Sequence, residues 1–150
     1  MPVLPAAPFP VAAQAAGTHV VSVEPAQGLA ARRGAEFQAP LKLAIRNGYH
    51  INSNTPSEDY LIPTVITWDA GPLAERGVTY PKAESVRYDF SSNPLLVYSG
   101  TVTVVSRFAV SADAPRGQTT LKGKLRYQAC TEKMCLAPRT LEFSVPVKIE

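Results

Sequence analysis

No stretch of this chain approaches the ~20 consecutive apolar residues of a membrane-spanning helix, and its 15 lysines and arginines never gather into a basic face. They stand singly or in one pair, Arg32-Arg33, and the net charge is only +3. Nucleic-acid binding, which needs clustered cations and stacking aromatics, is thereby excluded. Glycine-rich phosphate loops are absent, and so is the Gly-x-Ser-x-Gly elbow of a serine hydrolase. Cysteine is scarce, with two residues, and histidine equally so. Neither falls into the C-x₂-C or H-x₃-H spacing of a zinc site. A soft Cu(I) set could be assembled from both cysteines, both histidines and Met134, but no local spacing supports it. No metal and no cofactor is expected.

Charge is also missing from the first sixteen residues, which are rich in proline and alanine. Without a basic n-region, and with prolines breaking any apolar core, they do not read as a signal peptide. Residues 1–17 are expected to form a flexible Pro/Ala-rich segment, either a mature N-terminus after signal removal or a native cytosolic start. A paired cysteine arrangement fits an oxidising compartment better, which favours the first.

The remainder, 18–150, is long enough for one domain with a full core. Strand-like runs recur at Thr18–Val23, Glu36–Arg46, Leu61–Trp68, Leu95–Tyr98, Thr101–Val110, 119–128 and 139–149. Turn signals separate them: Asn47-Gly48, Ala70-Gly71-Pro72, Ser92-Asn93-Pro94, Ser99-Gly100 and Ala114-Pro115-Arg116-Gly117. No segment carries a sustained 3.6-residue apolar period. The pattern predicts an all-β, immunoglobulin-like sandwich of two sheets.

The cysteines, Cys130 and Cys135, lie between the last two runs with Thr-Glu-Lys-Met separating them. A hairpin there would place them opposite each other, near the Cα separation of about 5.5 Å that suits a disulfide. As a staple such a bond does little: closing a loop of about six residues returns on the order of 2 kcal/mol. At an exposed tip it is reachable by a foreign thiolate, as exchange requires. Structural clip and exchange site both remain open on these grounds.

Two further places carry chemistry. His50 follows Asn47-Gly48-Tyr49; it is either a strand-end histidine packed beside Tyr49 or, with Asn52 on the same strand face, a neighbour of the cysteine hairpin. His19, in the first strand region, has no local partner and reads as packing. In Arg87-Tyr88-Asp89-Phe90, the simpler reading sends Tyr88 and Phe90 into the core from an edge strand, with Asp89 facing water. The alternative is an aromatic lid on a loop, protecting a disulfide from the wrong thiols.

Taken together, Tyr127-Gln128-Ala129-Cys130 … Cys135-Leu136-Ala137-Pro138-Arg139-Thr140 resembles the active-site hairpin of the N-terminal periplasmic domain of the DsbD family, the transmembrane thiol:disulfide interchange proteins. That family shows Tyr-Gln-Gly-Cys … Cys-Tyr-Pro-Pro-Glu-Thr there. Asn47-Gly48-Tyr49-His50-Ile51-Asn52 resembles its Asp-Gly-Tyr-Tyr-Leu-Tyr segment, and Tyr88-Asp89-Phe90 stands where it carries a cap loop. The spacing between the cysteines is one residue shorter than in the family. Met134 and Leu136 replace aromatics, and His50 and Asn52 replace tyrosines.

The resemblance implies an extracytoplasmic, periplasmic redox domain that relays electrons through a reversible Cys130–Cys135 disulfide. Cys135 would form the mixed disulfide and Cys130 would resolve it. Phe90, with Tyr88 and Asp89, would shield the pair, and His50, Asn52, Tyr127 and Met134 would be neighbours of the site. Thioredoxin-like domains or proteins would be electron donor and acceptor, and a membrane electron-transfer domain is a further candidate partner. The chain would then be an excised domain or a stand-alone relative, acting as a thiol:disulfide oxidoreductase. The rival is an immunoglobulin-like binding or assembly module with a purely structural disulfide.

Overall fold

The computed structural model describes residues 19–150, so the segment expected to be flexible at 1–17 lies outside the described residues. Within them every regular element is a strand. In chain order these are β1 (Val21–Pro25), β2 (Leu29–Ala31), β3 (Glu36–Ile45), β4 (His50–Asn52), β5 (Val65–Asp69) and β6 (Leu73–Thr79). There follow β7 (Glu84–Val86), β8 (Leu95–Tyr98), β9 (Thr101–Val110), β10 (Gly117–Tyr127), β11 (Ala129–Cys130) and β12 (Arg139–Ile149).

The long strands bury alternate residues, as a half-solvated sheet demands. Ala39, Leu41, Leu43 and Ile45 point inward from β3, and Val104, Phe108 and Val110 from β9. These strands form the centre of one sheet, ordered β1-β3-β9-β6. Opposite them, Leu121, Leu125 and Tyr127 of β10 meet Val145, Val147 and Ile149 of β12 in a sheet ordered β2-β12-β10-β5. The two inner faces share one core, the all-β sandwich that the strand pattern predicts. Trp68 of β5 ties the sheets together: its Nε1 donates to Ser106 on β9 at 2.8 Å, and its ring meets Phe108 edge-on.

A third sheet, ordered β11-β4-β8-β7, crowns one end. Its β8 is the predicted run Leu95–Tyr98, whereas its other three strands and two short strands of the larger sheets escaped the sequence reading. His50–Asn52 and Glu84–Val86 span only three residues each, too few for alternation to register. Leu73–Thr79 also hides, because as an edge strand it is mostly exposed and has a bulge between Glu75 and Gly77. Gly77 takes φ +132 there, a conformation closed to ordinary side chains. Leu29–Ala31 pairs in parallel with β12 and is likewise short. The predicted run Leu61–Trp68 is a strand only from Val65, and the first begins at Val21 and reaches Pro25.

The cysteine hairpin differs from expectation in one respect that matters. The flanking runs do pair, from Gly117 with Ile149 to Tyr127 with Arg139. The cysteines, however, do not close that ladder. Residues 128–138 leave it and cross to the third sheet, where Ala129 and Cys130 pair with Ile51 and His50.

Candidate functional site

The connection holds its shape through side chains that bond backbone. Thr131 Oγ1 accepts from the amides of Lys133 and Met134, both at 3.2 Å, and organises the turn. Thr131 N–H donates to Met134 O at 2.7 Å, and Leu136 N–H to Ala129 O at 2.8 Å. Those bonds bracket Cys130 and Cys135, which therefore form a non-hydrogen-bonded antiparallel pair, the closer of the two pair types. Their Cα atoms lie 3.9 Å apart, nearer than the sequence led us to expect, and the sulfurs are bonded.

The two sulfurs have different surroundings. Cys130 is wholly buried, at 0% exposure, whereas Cys135 is half-buried. Cys135 packs on a small apolar floor of Leu61, Leu95 and Val97, which is separate from the main core. Tyr88 and Phe90 pack on the same floor. Its chain neighbours Met134 and Leu136 are both exposed to solvent.

Tyr88 and Phe90 do not extend an edge strand. They lie beyond the end of β7, in the 87–94 connection to β8, where Ser91 N–H donates to Tyr88 O at 3.2 Å. Their rings stack on each other at 5.6 Å, and Tyr88 stacks in turn on His50 at 4.2 Å. Asp89, between them, is exposed. His50 thus packs against Tyr88 rather than Tyr49, which corrects the simpler of its two readings. Burial, with 4% of the residue exposed, lowers the His50 pKa to about 4, so the ring is neutral at ordinary pH. Burial raises the Tyr88 phenol pKa, and the carboxylates of Glu84 and Glu132 add to the rise.

Asn52 shares a strand face with His50 and is fully buried. Its Nδ2 donates to Ile62 O at 2.9 Å and to Gln128 Oε1 at 3.0 Å. Tyr127 belongs to the main core, and its hydroxyl meets His19 Nδ1 at 2.6 Å, so its partner is that histidine and neither cysteine. Burial, and then the Arg139 cation, lower the His19 pKa. Among the described residues no three His, Cys, Asp or Glu side chains converge as a metal set.

This geometry is a buried cysteine bonded to a partly exposed one that shares its apolar floor with two stacked aromatics, on an all-β frame. A family model for the N-terminal domain of the thiol:disulfide interchange protein DsbD matches residues 17–146. The chain belongs to that family. No curated protein matches this DsbD-type domain in sequence. Among solved structures it is similar to the N-terminal periplasmic domain of ScsB from Proteus mirabilis, with a TM-score of 0.58 and 13% identity. That match covers 88% of this chain and 47% of the other, so the DsbD-type domain spans about half of the chain it resembles. At such identity the likeness concerns the fold. A family 123 glycoside hydrolase from Clostridium perfringens also matches, at TM-score 0.42 and 8% identity, over 88% of this chain and 27% of that one. A likeness of that size carries no argument.

Gln128 was missed by sequence reasoning, although it stood inside the quoted motif. Gln128 Oε1 accepts from Asn52 Nδ2 and from the Ile62 amide, and its Nε2 donates to Leu136 O at 3.3 Å. It binds the segment after Cys135 to β4 and to the segment entering β5. Its partners lie 66 and 76 residues away, so no local pattern points to them. The floor residues Leu61, Leu95 and Val97 were missed for the same reason, since each reads as ordinary core.

Proposed function

We propose that this DsbD-type domain relays electrons in an extracytoplasmic compartment, through the Cys130–Cys135 disulfide and transient mixed disulfides with thioredoxin-fold partners. The observation that carries this reading is the asymmetry of the two sulfurs, one fully buried and the other on an accessible apolar rim. Exchange needs a thiolate to approach one sulfur in line with the S–S bond. Only Cys135 offers that approach, once the Tyr88–Phe90 loop moves aside.

In this scheme a donor thiolate attacks Cys135 Sγ, and Cys130 leaves and takes up a proton. A second donor thiol then resolves the mixed disulfide, so two electrons and two protons reside on the cysteine pair. The steps reverse on an oxidised acceptor: Cys135 attacks, and Cys130 closes the intramolecular bond. Among the described residues no helix is present whose N-terminus could acidify either thiol. That suits a pair which reacts when a partner docks and aligns the sulfurs. Phe90, Tyr88 and Asp89 serve as the cap. Met134 and Leu136 form the contact rim.

Trapping tests the assignment. Cys130→Ser should accumulate a mixed disulfide with a thioredoxin-like protein on a non-reducing gel, and Cys135→Ser should accumulate little. Equal trapping by both variants removes the assignment of roles. A wild-type disulfide that no thioredoxin-like protein reduces at equilibrium removes the relay, and leaves an immunoglobulin-like module with a braced turn.

A further inference from the structure

Among the described residues, two buried side-chain polar atoms lack a hydrogen-bond partner: His50 Nε2 and Asn52 Oδ1. Both belong to β4, and the strand period of two places them on one face. Orphaned buried polar atoms are rare in folded proteins and call for an explanation. Here the explanation lies across the ladder. His50 is the register partner of Cys130, and partners directly opposite each other project from the same face with Cβ atoms about 5 Å apart. The Tyr88 ring covers one face of the imidazole, stacked on it at 4.2 Å. With the disulfide formed, Cys130 has no proton to offer, and Nε2 has nothing to accept.

We propose that His50 holds the reduced form of the couple: its Nε2 accepts a hydrogen bond from the Cys130 thiol once the S–S bond is opened. This rests on the exchange reading and adds to it a residue that sets the position of the equilibrium. Reduction by two thiol equivalents adds two electrons and two protons, replacing one S–S bond by two S–H bonds while the reductant becomes a disulfide. One of those S–H groups arises on the buried sulfur, whose cross-strand neighbour carries the free lone pair. Burial keeps the ring neutral, and in the tautomer that carries its proton on Nδ1 the lone pair lies on Nε2. The reduced state thereby gains a hydrogen bond, and the oxidised state alone bears the orphaned nitrogen. Both effects favour the dithiol and raise the reduction potential.

The test is the disulfide–dithiol equilibrium with glutathione, compared between wild type and His50→Phe. Phenylalanine keeps an aromatic ring to stack on Tyr88 and removes the acceptor. The variant should be harder to reduce by about tenfold in the equilibrium constant, which is about 30 mV for a two-electron couple. An unchanged or easier reduction overturns the proposal. A second measurement needs no variant: ¹⁵N resonances of the His50 ring in the wild-type protein, oxidised and reduced. Nε2 should be unprotonated in both states and should move on reduction as it takes the hydrogen bond. A resonance that stays in place, or a protonated Nε2 in the reduced form, also overturns the assignment. Neither readout depends on a protein partner. A domain that passes both and yet fails to exchange with any thioredoxin-like protein would refute the relay and leave His50 standing.

Discussion

Removal of the Phe90 ring separates shielding from packing. Phe90 is half-buried and packs on the small floor of Leu61, Leu95 and Val97, outside the main core. Full burial of a phenylalanine makes truncation to alanine cost about 3–5 kcal/mol. Half that burial, with one ring stacked on Tyr88 at 5.6 Å, brings Phe90→Ala to about 2 kcal/mol. If those contacts are what hold the 87–94 loop over Cys135, their loss shifts the loop toward its open form. Each 1.4 kcal/mol is about tenfold, so native-state reduction by dithiothreitol should quicken by roughly 10- to 30-fold. Phe108 is the internal control, since it is fully buried between Phe37 and Trp68 in the main core. Phe108→Ala should cost about 3–5 kcal/mol and leave the native-state reduction rate little altered. Both variants would be unfolded in denaturant in the oxidised form, and reduced under native conditions with timed thiol labelling. A Phe90→Ala protein that loses core-sized stability without faster reduction would show that packing had been mistaken for protection.

Two more predictions follow from single features of the fold. His50 has its pKa lowered to about 4 from an ordinary 6.5, so below pH 6.5 the unfolded chain takes up a proton that the folded protein refuses. Stability should be intact above that pH, fall by about 1.4 kcal/mol per unit below it, and level off near pH 4, for a total of about 3 kcal/mol. His50→Phe should lose that part of the slope in denaturant titrations across pH 4–7, and parallel profiles for the two proteins would refute the origin of the effect. Gly123 lies under the Phe143 ring, with a Cβ at that position falling 2.6 Å from Cε2. Gly123→Ala should therefore cost about 1–3 kcal/mol and change the emission of Trp68, which meets Phe143 edge-on at 5.2 Å. A variant of wild-type stability with unaltered fluorescence would count against this packing.

The sandwich was legible in the chain because its signal is local. A strand of ten residues such as Glu36–Ile45 states its buried face by alternation, and Asn47-Gly48 states its turn, without reference to anything distant. The cysteine motif was legible for the same reason, since six consecutive positions contain the whole disulfide. Short elements were not, because three residues such as His50–Asn52 cannot display a period. What the chain left open was whether the disulfide ends a simple hairpin or sits within another sheet. Tertiary structure decided that by pairing Cys130 with His50, a partner 80 positions earlier, and by bringing Tyr88 onto the same imidazole. It also decided which sulfur is buried, for the two cysteines are equivalent in sequence and differ only in what packs around them. Contacts of that range are made by the closing of the fold, and no window of the sequence contains both of their ends.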